Sequence, residues 1–446
     1  MKGLIFTYAV TYGGAVVSLL NPFYGLLAYV CFAIICPESL WYWAVPQGGH
    51  YSRIVAIGFL AGWALHGFGN WRLGRAGGVT LAYFAFWAWA ALSALLVATD
   101  QQRAFQFLEM QAKTLLPFVA GITLIDSAGK LKVLAWTILL SQGFVAYEMN
   151  LAYWSGFNRV QEIGFGGMDN NCVAIAMVAG AGLAFFMGLH EKVFWRKWLA
   201  FVCAGLMAHT IMIAFSRGGM LALLLSGVIS LLLIDKAKPK HYAYLLLAVF
   251  VALYMAGSEV RERFWSAFAD PEVRDASAQE RADMWGQCWI LMQESPLLGV
   301  GPDNWVVYAN ERFGWGSHKE AHSLWLQTGA ELGFPGLAFL VAFYGLACIR
   351  LWPIAKRRVA SASEWDVTVA RMTIAGLGGF AIAAQFVSLE GLELPYYITL
   401  VGAGTLKLSA SRTAESPARV DEATRVAAVL APPSPLGPPD SSQPNA

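Results

Sequence analysis

The chain has 446 residues, of which 57% are hydrophobic and only 13% are charged, and its formal net charge is +2. Soluble domains carry about 25% charged residues, so this composition excludes an ordinary soluble protein. The small net charge, and the lack of a basic run interleaved with aromatic residues, exclude a nucleic-acid-binding protein.

Apolar runs that are long enough to span a bilayer recur along most of the chain. A transmembrane helix needs about 20 mostly apolar residues. The first two runs and the last two are short or closely spaced, so the pattern predicts an all-α polytopic membrane protein with twelve or thirteen transmembrane helices. The runs lie near residues 3–20, 23–38, 53–70, 79–98, 113–126, 131–151, 170–189, 198–215, 218–234, 241–257, 332–351, 367–388 and 393–408.

Lysine and arginine residues cluster in every second connection between these runs. Short cytoplasmic loops carry an excess of such residues, so the pattern places the basic connections in the cytoplasm. They contain Arg72, Arg75, Lys130, Lys132 and the segments 192–197, 236–240 and 356–358. The other large connections face the opposite side, which is the periplasm in a bacterium, and lie at 39–52, 99–112, 152–169 and 258–331.

This pattern divides the chain into four parts. Residues 1–257 form the first part of the transmembrane bundle, residues 258–331 a large periplasmic loop, and residues 332–408 the last helices. Residues 409–446 are rich in proline, and their composition cannot bury enough apolar surface to fold. We expect them to form a disordered cytoplasmic tail.

The large periplasmic loop is far longer than ordinary connections, and loops of this length are usually functional or disordered. Its many aromatic residues favour an ordered structure. Apolar residues recur at helical spacing between Arg281 and Met292, which predicts an amphipathic helix at the membrane interface. A second helix is predicted to begin near His322. One face of that helix is expected to contain His322, Leu326, Gly329 and Gly333.

Three segments resemble the signature of a known superfamily. They are HSLWLQTGAELGFPG from His322 to Gly336, PLLGVGPDNW from Pro296 to Trp305, and SRGG from Ser216 to Gly219. Together they resemble the O-antigen ligase and O-antigen polymerase superfamily, and most of all the O-antigen ligases and the O-glycosylation ligases of exosortase-carrying bacteria. The resemblance covers nearly the whole chain except the proline-rich tail.

The resemblance implies a glycosyltransferase of GT-C-like architecture in the bacterial inner membrane. Such enzymes take a glycan from undecaprenyl diphosphate on the periplasmic side and join it to the lipid A core. They are metal-independent and use no cofactor. The partners implied are therefore the carrier-linked glycan, the lipid A core acceptor and the membrane lipids.

Three arginines are candidates for binding the donor diphosphate. Arg217 begins a helix, where free N–H groups and the helix dipole also favour an anion, and Gly218 and Gly219 allow a ligand to approach the backbone. Arg281 lies in the periplasmic loop and Arg159 in the preceding one. The planar guanidinium group binds phosphate through two hydrogen bonds, which suits a diphosphate leaving group. The alternative for each is that the arginine has no catalytic role and extends its side chain to the membrane surface.

His322 is the candidate general base, because an imidazole with a pKa near the working pH suits removal of the acceptor hydroxyl's proton. The alternative is that His322 has only a structural role and is hydrogen-bonded in a packed loop. Three residues are candidates for supporting roles: Asp303 to hold the imidazole in one tautomer, Glu331 to orient a helix end, and His318 on a shared face.

No DxD pair, CxxC pair or Cys/His metal spacing occurs in the sequence. Cationic side chains are therefore expected to take the place of a metal ion. The prediction is an inverting single displacement, with His322 as base and Arg217 and Arg281 holding the diphosphate.

Other functions remain open at this point. An O-antigen polymerase uses the same donor but extends another carrier-linked glycan, and a protein O-oligosaccharyltransferase modifies periplasmic proteins. A transporter of carrier-linked glycan is expected to show ionisable residues in the spans and an internal repeat. Glu148 and Arg371 are the candidates for such ionisable residues, and no repeat is evident.

Overall fold

The computed structural model describes residues 2–235, 276–316, 319–388 and 392–410, together with Pro239, Ala243 and Arg412. These residues are helical apart from their connections and one isolated bridge between Phe165 and Met168. The helices are α1 (Lys2–Leu20), α2 (Pro22–Ile35), α3 (Tyr51–Leu65), α4 (Gly77–Leu96), α5 (Gln101–Leu124), α6 (Ala128–Trp154), α7 (Asn170–His190), α8 (Phe194–Ile213), α9 (Arg217–Leu233), α10 (Ala276–Glu294), α11 (Trp305–Phe313), α12 (Leu324–Ala355), α13 (Glu364–Ala383) and α14 (394–410).

A helix lies at every predicted apolar run except 241–257, which falls outside the described residues apart from Ala243. Within the described part, 7 helices are long and apolar enough to cross a membrane. The all-helical, polytopic class is therefore confirmed, whereas the count of twelve or thirteen spans stays a prediction. His318 and residues 413–446, including the predicted tail, lie outside the described residues.

Helix α5 differs from its prediction. The segment 99–112 was expected to be a loop, but the helix begins at Gln101, with the Asp100 side chain accepting a hydrogen bond from the Arg103 backbone N–H at 3.1 Å. Phe107 and Gln111 lie on its buried face. This half of the helix is amphipathic, so a search for continuous apolar residues detects only the other half, near 113–126.

The described part of the large loop is ordered. Helix α10 confirms the helix predicted between Arg281 and Met292, and buries Met284, Cys288, Leu291 and Met292 on one face. These residues pack with helix α11 in a hydrophobic cluster that is separate from the main core of the bundle.

Helix α12 begins at Leu324, which confirms the helix predicted to begin near His322, and it continues through the apolar run predicted at 332–351. The Ser323 side chain caps it by accepting a hydrogen bond from Leu326 N. Gly333 interrupts the helix with φ 68° and ψ −177°. A Cβ atom there would lie 2.4 Å from the carbonyl oxygen of Leu297, so both the left-handed conformation and the close packing require glycine. The predicted face that combined His322 with Gly333 is wrong, because both residues lie outside regular helix.

The connections fall into two sets at opposite ends of the helices. At one end, which we call the basic end, Lys407 Nζ donates to the carbonyls of Asn70 at 3.0 Å and Ile122 at 2.7 Å, and Lys132 pairs with Glu191 at 2.5 Å. The predicted basic connections that fall within the described residues lie there, whereas the segment 236–240 lies outside them apart from Pro239. Helices α5, α7, α9 and α12 begin at the other end, which we call the cavity end.

Candidate functional site

A cavity of about 560 Å³ opens at the cavity end. Its wall is formed by helix α5, the turn 166–169 before helix α7, the segment after helix α13, and the residues just before helix α12. Six titratable side chains line it: Asp169, Cys172, Asp303, Lys319, Glu320 and His322. At this cavity, these elements bring together side chains that can act as acids, bases or ligands.

His322 occupies a left-handed conformation with φ 53°, directly before the Ser323 cap of helix α12. The backbone is held on both sides: Ala321 N–H donates to Gln327 Oε1 at 3.0 Å, and Leu324 N–H donates to the Ala384 carbonyl at 2.9 Å. Among the described residues, the imidazole itself makes no hydrogen bond. It is therefore positioned at the cavity by its backbone and remains available to a ligand.

The electrostatic surroundings of His322 favour the neutral imidazole. Burial lowers its pKa below the ordinary 6.5, and the positive charges of Arg281 and Lys319 lower it further, against the opposing effect of Asp169. A neutral imidazole at neutral pH can accept a proton.

Arg281 lies on helix α10 and does not line the cavity itself, but its positive charge contributes to lowering the pKa of His322. One turn farther along the helix, Trp285 Nε1 donates to the Ala321 carbonyl at 3.0 Å. This hydrogen bond ties the helix that carries Arg281 to the residue next to His322.

Arg217 is the first residue of helix α9, which the Ser216 side chain caps by accepting from Gly219 N at 3.2 Å. Gly218 lies against Phe386, and the Phe386 ring centroid is 6.5 Å from that of Trp285. Helix α9 therefore begins close to the helix that carries Arg281, although Arg217 does not line the cavity itself.

The glycines after Arg217 serve helix packing. A Cβ atom at Gly218 would lie 2.9 Å from the Phe386 Cβ, and one at Gly219 would lie 2.8 Å from the Ala174 Cβ. The interpretation that these glycines leave space for a ligand is wrong, because Phe386, in the segment after helix α13, and Ala174 of helix α7 fill that space.

Arg159 is buried and does not line the cavity. Its guanidinium group donates to the carbonyls of Leu40 at 3.0 Å and Ser39 at 2.5 Å, and lies over the Tyr42 ring at 5.4 Å. In this position it joins two connections at the cavity end. Its predicted contact with the donor diphosphate stays a prediction.

Asp303 lines the cavity and pairs with Arg103 at 3.5 Å. Burial raises the pKa of its carboxyl group, against the lowering effect of Arg103. Because its contact is with Arg103, the predicted role in orienting the His322 imidazole stays a prediction.

Glu331 is buried in helix α12 and holds the turn that precedes helix α11. Its carboxylate accepts hydrogen bonds from the backbone N–H groups of Asp303 at 3.0 Å and Trp305 at 3.2 Å. A carboxylate at the start of a helix satisfies N–H groups that have no partner within the helix. The predicted role of Glu331 in orienting a helix end stays a prediction, which these two hydrogen bonds support.

Replacing Glu331 with alanine is expected to lower the free energy of unfolding by about 1–3 kcal/mol or more, because two buried N–H groups lose their acceptor. Thermal unfolding of the detergent-purified protein measures this. The matched control is Glu294→Ala, because Glu294 forms an exposed pair with Arg312, and such pairs contribute less than about 1 kcal/mol. Equal loss in both variants would contradict the structural role.

Sequence reasoning missed Asp169, Lys319 and Glu320. Lys319 and Glu320 lie three and two residues before His322 in the motif KEAH. This proximity to the predicted base could have indicated that they belong to the site. Asp169 is the N-cap of helix α7 and accepts from Cys172 N at 2.8 Å, which the sequence MDNN indicates. In the described part of the chain, no group of three or more His, Cys, Asp or Glu side chains has a geometry that could hold a metal ion.

The fold and the cavity define an all-helical, multi-pass membrane protein that has a cavity lined by titratable side chains at one end of its helices. Residues 202–341 match the family model described as O-antigen ligase, so the resemblance to that family is confirmed over this segment. The segment contains Arg217, Arg281 and His322, whereas Arg159 precedes it. No curated protein matches the chain.

Proposed function

We propose that this protein is an O-antigen ligase that transfers a glycan from undecaprenyl diphosphate to the lipid A core oligosaccharide. One observation supports the proposal: His322, which belongs to the O-antigen ligase segment, lines the cavity, and Arg281 of the same segment lowers its pKa. A neutral base next to a cation is the combination that displacement of a diphosphate requires.

In the proposed reaction, an acceptor hydroxyl oxygen attacks the anomeric carbon of the donor sugar. The bond from that carbon to the phosphate oxygen breaks, and the electron pair leaves with the carrier diphosphate. The proton of the attacking hydroxyl passes to His322. A single displacement inverts the configuration at the anomeric carbon.

Arg217 and Arg281 stabilise the negative charge that develops on the leaving diphosphate. Serine side chains, and not carboxylates, cap helices α9 and α12. The positive ends of these two helix dipoles therefore add to the attraction for an anion. These roles replace those of a metal ion, and the reaction is proposed to need none.

The proposed orientation places the cavity end in the periplasm and the basic end in the cytoplasm of a bacterial inner membrane. The basic connections at one end of the helices support it, since basic loops stay cytoplasmic. A carrier lipid in the outer leaflet then reaches the cavity from the side of the bundle.

The test is glycan transfer by the purified full-length protein in lipid nanodiscs, in the presence of EDTA, with three acceptors offered separately. We expect product on lipid A core and none on a second carrier-linked glycan or on a periplasmic protein. Product on carrier-linked glycan alone would indicate a polymerase, and product on protein alone an oligosaccharyltransferase. Activity that EDTA abolishes and Mg²⁺ restores would contradict metal independence.

The pH dependence of transfer follows from His322. Because burial and neighbouring cations lower its pKa below 6.5, the free enzyme already holds the neutral base at pH 6.5. The value of kcat/KM for the donor, at saturating acceptor, reports this ionisation in the enzyme that has bound acceptor but not donor. We expect kcat/KM to fall only below pH 6.5, and a midpoint above that value would contradict the assignment.

A further inference from the structure

Glu320 lines the same cavity as His322, but the mechanism above does not use it. Its side chain makes no hydrogen bond or ion pair within the described part of the chain. The other carboxylates of the cavity have partners there: Asp169 caps helix α7 and Asp303 pairs with Arg103. Glu320 is therefore the cavity carboxylate that the described structure leaves available to a ligand.

The backbone around Glu320 is clamped. Trp305 Nε1 donates to the Lys319 carbonyl at 3.2 Å, and Trp285 Nε1 donates to the Ala321 carbonyl at 3.0 Å. Trp305 and Ala321 are both fully buried. A surface glutamate has no need for such support, whereas a side chain that must meet a substrate group in a fixed position does.

The charges that act on Glu320 and on His322 differ. The cations Arg281 and Lys319 act on His322 together with Asp169, whereas the charges that act on Glu320 are the negative charges of Asp169 and Asp303. Desolvation of the carboxyl group inside the cavity, together with these two negative charges, raises the pKa of Glu320 to about 7. The residue as a whole is exposed, because the cavity is open to solvent. The cavity lining thus includes the cation Lys319 and a wall of three carboxylates, Asp169, Asp303 and Glu320.

We propose that Glu320 binds the acceptor sugar: its carboxylate accepts hydrogen bonds from hydroxyl groups that neighbour the attacking one, and the carboxylate wall selects a neutral sugar over a phosphorylated one. The inference rests on the proposed function. A carboxylate accepts from two hydroxyls at once, and charge-assisted hydrogen bonds of this kind are about twice as strong as neutral ones. A phosphate on the acceptor would be repelled by the same wall.

The proposal predicts a shift in acceptor affinity with pH. The charged and titratable groups around Glu320 lie on four elements. They are Asp169 and Cys172 at the start of helix α7, Asp303 in the turn before helix α11 with its partner Arg103 on helix α5, and Lys319 and His322 on its own segment. The ionised carboxylate binds hydroxyls more strongly than the protonated one. Acceptor KM therefore rises as the pH falls through about 7.

Steady-state transfer by full-length Glu320→Gln protein tests the proposal, with core acceptors that end in either a neutral or a phosphorylated hexose. We expect acceptor KM to rise about tenfold for the neutral acceptor, a step that corresponds to the loss of one charge-assisted hydrogen bond. Donor KM should change less than about twofold, the preference for the neutral acceptor should narrow, and the dependence of acceptor KM on pH should disappear.

Glu294→Gln is the matched control, because Glu294 is exposed, is paired with Arg312 and does not line the cavity. Behaviour of Glu320→Gln identical to this control would overturn the proposal. A fall in kcat with both KM values unchanged would also overturn it, because Glu320 would then act in the chemical step.

Calorimetric titration with delipidated core oligosaccharide separates this proposal from the proposed function, since it needs no transfer. Weaker binding to Glu320→Gln than to the unmodified protein supports acceptor binding even where no transfer occurs. Equal binding to both proteins overturns it. Absence of transfer by the unmodified protein, with oligosaccharide binding intact, would instead count against the proposed transfer reaction.

Discussion

Replacing His322 with alanine is expected to lower the rate of glycan transfer about 10²- to 10⁴-fold, the range that a positioned general base contributes. The acceptor hydroxyl then has to lose its proton to water. Donor and acceptor KM should change little, because His322 acts on the proton and not on either substrate's binding groups. Initial rates with saturating substrates measure the effect.

His66→Ala is the matched control for His322→Ala. His66 is exposed at the end of helix α3, away from the cavity, and its Nδ1 is 2.8 Å from the Gly62 carbonyl oxygen. It should transfer glycan at the rate of the unmodified protein. Transfer by His322→Ala at the normal rate would show that His322 is not the general base. The His322→Gln variant should be as slow as His322→Ala, because an amide cannot accept the proton.

Replacing Arg217 or Arg281 with alanine is expected to lower kcat about 10²- to 10³-fold, because each removes positive charge from the developing leaving group. Lysine should restore only part of the rate, since it keeps the charge but not the two-pronged hydrogen bonding of arginine. The same assay with a carrier-linked donor measures both substitutions.

The Arg281 variant offers a second readout. Removing its charge should raise the pKa of His322, because Arg281 is the charged neighbour with the largest lowering effect. The acid limit of kcat/KM should therefore move towards higher pH in Arg281→Ala. Arg196→Ala is the control, since Arg196 is exposed at the start of helix α8, over the Trp195 ring at 5.2 Å. If the acid limit is unchanged in Arg281→Ala, the charge of Arg281 does not act on His322 and this part of the account is wrong.

The helices were predictable because a long apolar run has few structural alternatives in a membrane protein. The polar half of helix α5 was not recognised, because its signal is periodic and not continuous. The same periodic signal did predict helix α10, where apolar residues face the small cluster with helix α11.

The site was predictable in its residue types and less so in its geometry. His322 was identified from its motif, but helical spacing gave no indication of the left-handed backbone that holds it outside helix α12. Arg159 shows a different limit. Its carbonyl partners at Ser39 and Leu40 are about 120 residues away in the chain, so no local pattern could reveal that its guanidinium group is already engaged.

Glu320 was missed because a glutamate between a lysine and an alanine looks like an ordinary solvated residue. Its position depends on indole hydrogen bonds from Trp285 and Trp305, which belong to helices α10 and α11. These two indole hydrogen bonds, together with the bond from Ala321 N–H to Gln327 Oε1, hold residues 319–322 at the cavity.

The most direct test of the cavity as the transfer site is photocrosslinking with an undecaprenyl diphosphate donor that carries a photoreactive group on its first sugar. Mass spectrometry of the labelled full-length protein should locate adducts in the segments 166–172 and 319–322, and excess unlabelled donor should suppress them. Adducts confined to the basic end, in the connections 66–76 and 356–363, would contradict the account.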